Sequence, residues 1–396
     1  MTGPSLALSN LRAVVILIVV AFHAMLAYLD ALPATAYRFD KPPHEWQAFP
    51  VVDSQRWFGF DLFCAWQDVC LMSMMFFLSG LFVWSSITRK DSWKFLSDRI
   101  FRIGVPALLA VLLLMPASYY PAYRATAVDP SLAGFWQQWL ALGHWPCGPQ
   151  WFLWQLLAMN VVAVGLHRVA PRWGEWLGRL TASARTQPLR FFAGLALASA
   201  LAYVPLVLIF GPWDWGSFAL FGIQLSRPLH YAVYFFAGVA VGAYGLERGL
   251  VALDGMLARL WAMWVVAALV GFGLWGVPTG MALEYGAGKV PLVLQLAAAF
   301  GFVLACASGC LALIAVLLRF GRSRSRALDS LSANAYGIYL VHYVFVVWLQ
   351  YALLNAPLFA VVKTLIVFAG ALLASWVLVT SFGRISVGSR VIGARR

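Results

Sequence analysis

The sequence Asn10-Leu-Arg-Ala-Val-Val-Ile-Leu-Ile-Val-Val-Ala-Phe-His23 opens a long apolar run that continues to Leu29. Arg12 and His23 are eleven residues apart, so on an α-helix they differ by only about 20° around the axis and by about 16 Å along it. An ionisable side chain in hydrocarbon costs about 2.5 kcal/mol or more. We therefore expect both to face a protein or water-lined interior. The alternative is that Arg12 reaches the membrane interface and His23 is a hydrogen-bonded core residue.

Composition predicts a membrane protein. The 396 residues are 62% hydrophobic and 11% charged, with a mean hydropathy of +0.80, which excludes a soluble domain of this length. The predicted fold is an all-α bundle of about ten transmembrane helices forming one domain, 1–396. The first run is long and lacks a small-residue cleavage site, so no cleavable signal peptide is expected. The ten apolar runs, of which the third and sixth are short, lie at about 8–30, 62–87, 104–121, 150–169, 190–210, 229–246, 259–277, 290–318, 334–354 and 358–381.

The distribution of basic residues predicts the orientation. Of the 28 Lys and Arg, 21 lie in one alternate set of loops and seven in the other. Because basic residues concentrate on the cytoplasmic side, both termini are predicted to be cytoplasmic. The net charge of +13 then reflects topology and contact with the lipid bilayer, not binding to nucleic acid.

Two further ionisable residues lie inside predicted spans. Asp68 lies about two turns from the outer end of the second run, the same depth as His23 in the first. Its carboxylate either orients and charge-stabilises the imidazole or lines the mouth of the cavity and meets only water. His342 lies near mid-depth in the ninth run, where a hydrogen-bonded interhelical histidine is the better interpretation. Cys306 and Cys310 lie one turn apart with no ligand at metal-binding spacing, so packing is expected there and no metal site.

Outside the spans, two features favour binding. Arg99 and Arg102 stand at i and i+3, on one face of a short helix, and two guanidiniums on one face suit a phosphate group. The predicted outer loops, about 31–61 and 122–149, are rich in Trp, whose indoles stack on sugar rings or anchor the interface.

An ordered set of motifs then resembles the acyltransferase-3 family of integral membrane acyltransferases. The matching residues are Arg12…His23, Phe76-Phe-Leu-Ser-Gly80, Arg99-x-x-Arg102 followed by Pro106, His144…Trp151-Phe-Leu-Trp154, Tyr234-Phe-Phe-Ala-Gly238 and Gly337-Ile-Tyr-Leu-Val-His342. The segment Arg102-Ile-Gly-Val-Pro106 is most similar to the branch of periplasmic glucan succinyltransferases. The resemblance covers nearly the whole chain and also implies ten spans with both ends inside.

The resemblance implies that an acetyl or succinyl group moves from cytoplasmic acyl-CoA to a hydroxyl of an extracytoplasmic glycan, across the bacterial inner membrane. His23 would be the general base or form an acyl-imidazole, and Asp68 would hold its tautomer. Arg12, Arg99 and Arg102 would bind the CoA phosphates. The substrate-binding wall would contain Trp151, Tyr339 and His342, and no permanently bound cofactor or metal is expected.

Two other classes of function also fit an apolar chain with interior ionisable residues. A transporter or flippase also places Arg, His and Asp in its interior, but an inverted repeat would favour it and the sequence contains none. A structural membrane subunit leaves the shared facing of Arg12 and His23 unexplained.

Overall fold

The computed structural model describes residues 4–286 and 288–383. The helices in chain order are α1 (Pro4–Met25), α2 (Phe58–Gly80), α3 (Val83–Ile87), α4 (Ser92–Arg99), α5 (Val105–Leu109), α6 (Met115–Thr126), α7 (Leu132–Ala141), α8 (Trp151–Val169), α9 (Trp173–Leu180), α10 (Pro188–Phe210), α11 (Pro228–Tyr244), α12 (Met256–Arg259), α13 (Trp261–Leu283), α14 (Leu292–Phe320), α15 (Arg326–Ala352) and α16 (Ala360–Gly383).

The predicted all-α membrane fold is confirmed. Within the described residues, nine helices are long and apolar enough to cross a membrane. The predicted sixth span is α11, which is shorter, at 17 residues. These ten segments correspond in order to the ten apolar runs.

The third span is longer than predicted. One continuous helical segment covers Ser92–Thr126, where the apolar run indicated only 104–121. It begins at Asp91, whose carboxylate accepts hydrogen bonds from the backbone N–H groups of the first turn. Two π-helical turns, Ile100–Gly104 and Ala110–Leu114, each end two residues before a proline. Proline has no N–H to donate to the helical ladder, and the chain continues the helix through these wider turns.

A β-hairpin that the sequence analysis missed lies between α10 and α11. Strands β1 (Trp215–Phe218) and β2 (Phe221–Gln224) pair antiparallel with Trp215 opposite Gln224. The backbone N–H of Trp145 donates to the carbonyl of Ala219 at the hairpin tip, at 2.8 Å. The hairpin is therefore attached to the segment that precedes α8.

Helices α2 and α11 pack in parallel at very short distance. A Cβ atom on Gly238 would clash with the Phe77 carbonyl, and one on Gly242 with the Leu81 carbonyl. A Cβ on Gly80 would likewise clash with the Phe235 carbonyl. Small residues let membrane helices approach backbone to backbone. The Phe-Phe-Leu-Ser-Gly80 and Phe-Phe-Ala-Gly238 motifs therefore meet at one helix crossing.

Each end of the bundle has its own contacts between segments that are distant in sequence. At one end the Asn10 amide donates to the carbonyls of Gly321 and Ser323. At the other end the first loop predicted to lie outside is tied to α16 by an ion pair between Lys363 Nζ and Asp53 Oδ2, at 2.7 Å, and both side chains are fully buried. These contacts agree with the predicted alternation of loops. Which end faces the cytoplasm stays a prediction.

Candidate active site

A cavity of about 740 Å³ lies at the end of the bundle that carries the Lys363–Asp53 ion pair. Its walls come from the loops at 43–49 and 144–151, the β-hairpin, and helices α1, α2, α6 and α15. His23 from α1 and Asp68 from α2 line this cavity, as do Trp151 and Tyr339. Four of the predicted site residues are therefore brought together around one space.

His23 and His342 are in direct contact. His342 Nε2 lies 3.2 Å from His23 Nδ1, and the two rings meet edge to face. His342 Nδ1 lies 2.8 Å from the Tyr339 carbonyl oxygen, which accepts only, so Nδ1 carries the proton and Nε2 is the acceptor. His342 is fully buried. The prediction of an interhelical histidine is thus correct in kind, but its partner is the imidazole of His23.

The same contacts fix the tautomer of His23. Its Nδ1 lies 2.9 Å from the Val19 carbonyl oxygen as well as 3.2 Å from His342 Nε2. Both neighbours accept, so Nδ1–H donates and the lone pair is on Nε2. His23 also lines the cavity. Its side chain therefore combines a position at the cavity with the tautomer required of a base that acts through Nε2.

A glutamine holds the end of α1 that carries His23. Gln350 Nε2 donates to the carbonyl oxygen of His23 at 2.9 Å and to that of Ala24 at 3.2 Å. The last carbonyls of a helix lack hydrogen-bond partners within the helix. The Gln350 amide is the donor for two of these carbonyls. Sequence reasoning missed Gln350, although a polar residue in the same apolar run as His342 was a usable signal.

Asp68 does not contact His23, which corrects the predicted tautomer-holding role. Its carboxylate accepts two parallel hydrogen bonds from the Arg227 guanidinium, at 2.8 and 2.6 Å. Arg227 is buried, whereas the Asp68 side chain is 31% exposed and lines the cavity. The guanidinium also lies 4.9 Å from the centre of the Phe302 ring. The second interpretation, a carboxylate at the cavity wall, is therefore the closer one, but Asp68 has a buried cationic partner.

The cavity wall contains Trp151 and Tyr339, two of the three residues expected there. Trp151 meets Trp215 of the hairpin edge to face, with ring centroids 5.5 Å apart. Tyr339 donates its hydroxyl hydrogen to the Pro149 carbonyl oxygen, so this hydrogen is not available to a ligand in the cavity. His342 lies behind this wall and not among the lining residues.

The predicted phosphate-binding arginines do not line the cavity. They lie on α1 and on the helical segment Ser92–Thr126. Arg12 is on α1 with its guanidinium 4.7 Å from the Phe82 ring centre, and α1 is continuous from Arg12 to His23. Arg99 ends α4 over the Phe95 ring, whereas Arg102 falls in the first π-helical turn. Arg99 and Arg102 therefore lie at the junction between an α-helix and a wider π-helical turn, which changes the angle between them from that of a regular α-helix. Their shared role in phosphate binding stays a prediction.

A second polar cluster lies deeper in the bundle. His230 on α11 lies 3.1 Å from Ser73 Oγ and 2.7 Å from Ser199 Oγ, and Cys306 Sγ is 3.5 Å from its Nε2. Cys306 thus has a histidine neighbour that sequence spacing did not reveal. All four side chains are buried, so the cluster links α2, α10, α11 and α14 by interhelical contacts.

Apolar helices of membrane-spanning length around a cavity with an oriented imidazole define an integral membrane protein whose site is suited to proton transfer. The model of acyltransferase family 3, described as "Acyltransferase domain", matches residues 5–380. The chain belongs to this family and is an acyltransferase. No curated protein and no solved structure matches the chain.

Proposed function

We propose that this membrane acyltransferase moves an acetyl or succinyl group from cytoplasmic acyl-CoA to a hydroxyl of an extracytoplasmic glycan. The observation that carries the proposal is His23, whose Nδ1 is occupied by Val19 O and His342 Nε2 and whose ring lines the cavity. The positive-inside distribution of Lys and Arg supports placing the cavity on the extracytoplasmic side of a bacterial inner membrane.

In the proposed reaction, His23 Nε2 takes the proton of the acceptor hydroxyl as its oxygen attacks the thioester carbonyl. The C–S bond then breaks, and the proton passes from His23 to the CoA sulfur, which restores the neutral imidazole. His342 Nε2 accepts from His23 Nδ1–H throughout and stabilises the transient imidazolium. A second route has His23 Nε2 attack the thioester first and form an acyl-imidazole, which an acid quench before acceptor addition would trap.

The cavity wall supports a carbohydrate acceptor. The half-buried indole of Trp151 and the mostly buried ring of Tyr339 line the cavity, and aromatic rings of this kind stack on sugar rings. The Asp68 carboxylate, fixed by Arg227 and partly exposed to the cavity, is placed to accept hydrogen bonds from sugar hydroxyls. The proposed role of Asp68 is then to position the acceptor and not to orient His23.

The donor is proposed to bind from the opposite end. Arg12, Arg99 and Arg102 would hold the CoA phosphates, since guanidinium groups pair with phosphate oxygens. Between Arg12 and His23 the continuous α1 rises about 16 Å, a distance that the extended pantetheine arm of CoA is proposed to cover.

The test is acyl transfer by purified protein in lipid nanodiscs. Acetyl-CoA or succinyl-CoA is supplied with hydroxyl-bearing oligosaccharides, and products are followed by mass spectrometry and by release of the free CoA thiol. Loss of a positioned general base typically costs about 10² to 10⁴ in rate, so His23→Ala is expected to lose activity on that scale. His167→Ala is the matched control, because His167 is a half-buried histidine on α8 that packs on Trp84.

Two outcomes would contradict the proposal. A folded His23→Ala protein with the wild-type rate would remove the proposed base. Wild-type protein that acylates none of the oligosaccharides with either donor would remove the proposed acceptor class, while leaving the family assignment intact.

A further inference from the structure

A second cavity, of about 440 Å³, lies where α13 begins and α14 ends, at the end of the bundle opposite His23. Three arginines line it, Arg259, Arg319 and Arg322, together with Trp261 and Asp254. We propose that this cavity binds the phosphate headgroup of an anionic phospholipid. The proposal is independent of the acyl-transfer chemistry.

The charge of the cavity favours a phosphate ligand. Of the described residues that line it, Asp254 alone is acidic, and its carboxylate is already paired with Arg185. The Arg322 guanidinium is fixed by two backbone acceptors, the Leu318 carbonyl at 2.7 Å and the Leu253 carbonyl at 2.8 Å. Guanidinium groups form charge-assisted, often bidentate hydrogen bonds with phosphate. The three arginines therefore present an excess of positive charge, and the Arg322 guanidinium is held in place by its two hydrogen bonds.

The position of the cavity favours a lipid over a free phosphate compound. Trp261 opens α13 and meets Phe320 at the end of α14 edge to face, with ring centroids 5.0 Å apart, as expected of aromatic residues at a membrane interface. In the most apolar 18-residue stretch of α13, only 11% is buried by the rest of the described chain. Its exposed side chains include Val266, Leu269 and Val270. A lipid whose headgroup occupies the cavity would lay its acyl chains along this face.

The test compares two double variants of equal charge. Arg259→Gln with Arg319→Gln removes two cavity arginines and leaves Arg322, which ties the loop to α14. Arg168→Gln with Arg179→Gln is the control, because these arginines are exposed like Arg259 and Arg319 and belong to the same predicted side, but do not line the cavity. Binding of single phosphatidylglycerol and cardiolipin molecules, with phosphatidylcholine as the neutral reference, is measured by native mass spectrometry from detergent.

A charge-assisted hydrogen bond from a guanidinium to a phosphate contributes about tenfold or more to binding, so losing two cavity arginines predicts about 100-fold weaker binding of the anionic lipids by the cavity variant. The control pair is expected to change binding by less than about twofold, and phosphatidylcholine binding is expected to be equal in all three proteins. Equal losses in both pairs would mean general surface attraction and would overturn the proposal. Unchanged lipid binding combined with weaker acyl-CoA binding in the cavity variant would also overturn it, in favour of a donor site.

Discussion

Replacing His342 by Leu tests whether the histidine pair orients the base. The substitution removes the acceptor that lies 3.2 Å from His23 Nδ1 but leaves the Val19 carbonyl at 2.9 Å. His23 therefore keeps its Nδ1–H tautomer, and the proposed base at Nε2 stays in place. What is lost is one of the two acceptors that stabilise the imidazolium when His23 holds the acceptor's proton.

The size of that loss follows from the charge on the donor. A hydrogen bond to a charged group contributes about 1.5–3 kcal/mol, and every 1.36 kcal/mol changes a rate tenfold. His342→Leu is therefore expected to lower kcat by about 10- to 150-fold, with KM for donor and acceptor little changed. This is less than the effect of His23→Ala, because one acceptor remains.

The assay is acyl transfer at saturating donor and acceptor, with thermal unfolding measured on the same preparations. His342→Gln is the informative companion, since its side-chain oxygen can accept from His23 Nδ1–H, and it is expected to recover part of the lost kcat. A stable His342→Leu protein with wild-type kcat would refute the reasoning. Loss of activity that is equal in the Leu and Gln variants and matched by loss of stability would assign His342 to packing alone.

Three further predictions follow from the packing and the charges. Gly238→Val is expected to lower the thermal unfolding temperature strongly, because overpacking typically costs about 1–3 kcal/mol and the obstacle here is backbone; a value close to wild type would contradict the close crossing. Lys363→Met leaves the buried Asp53 carboxylate uncompensated, at a cost of about 3–5 kcal/mol, and combining it with Asp53→Asn should recover most of that stability in the same melt. Replacing Arg99 and Arg102 by Ala is expected to weaken acyl-CoA binding in detergent at least tenfold, from about 1.5 kcal/mol or more per charged hydrogen bond, with only partial rescue by Lys; unchanged donor affinity would return both to the positive-inside role.

Hydrophobic runs predict the helices well because lipid forces the backbone to satisfy its hydrogen bonds within each span. The third span shows where this reasoning ends. Its first turns, from Ser92, are polar and amphipathic, so hydropathy alone started the span at 104. The hairpin at 215–224 was missed for a related reason, because two four-residue strands give too short an alternation to stand out beside long apolar runs.

The site was only partly predictable. Depth along a helix follows from counting residues, which placed His23 and Asp68 at the same level and correctly suggested one cavity. Counting does not say which helices are neighbours. Asp68 was assigned to His23 because their depths match, whereas its carboxylate pairs with Arg227, 159 residues away in sequence and directly before α11. The contact between His23 and His342, 319 residues apart, was out of reach for the same reason.

The glycine crossing of α2 and α11 explains how the acidic wall of the cavity is held. The helices are parallel, and their contacts keep a nearly constant offset: Arg227 meets Asp68 at 159 residues, His230 meets Ser73 at 157, and Gly238 meets Phe77 one to two turns further on. The backbone approach at Gly238 therefore sets the register that places a buried guanidinium behind Asp68. A valine there would push the helices apart and weaken the ion pair as well as the packing. A valine at Gly194, where a Cβ meets nothing within 4 Å, should leave both unchanged. Reduced acceptor affinity in a Gly238 variant that still folds, absent from the Gly194 variant, would link the two glycine motifs to the geometry of the proposed acceptor site.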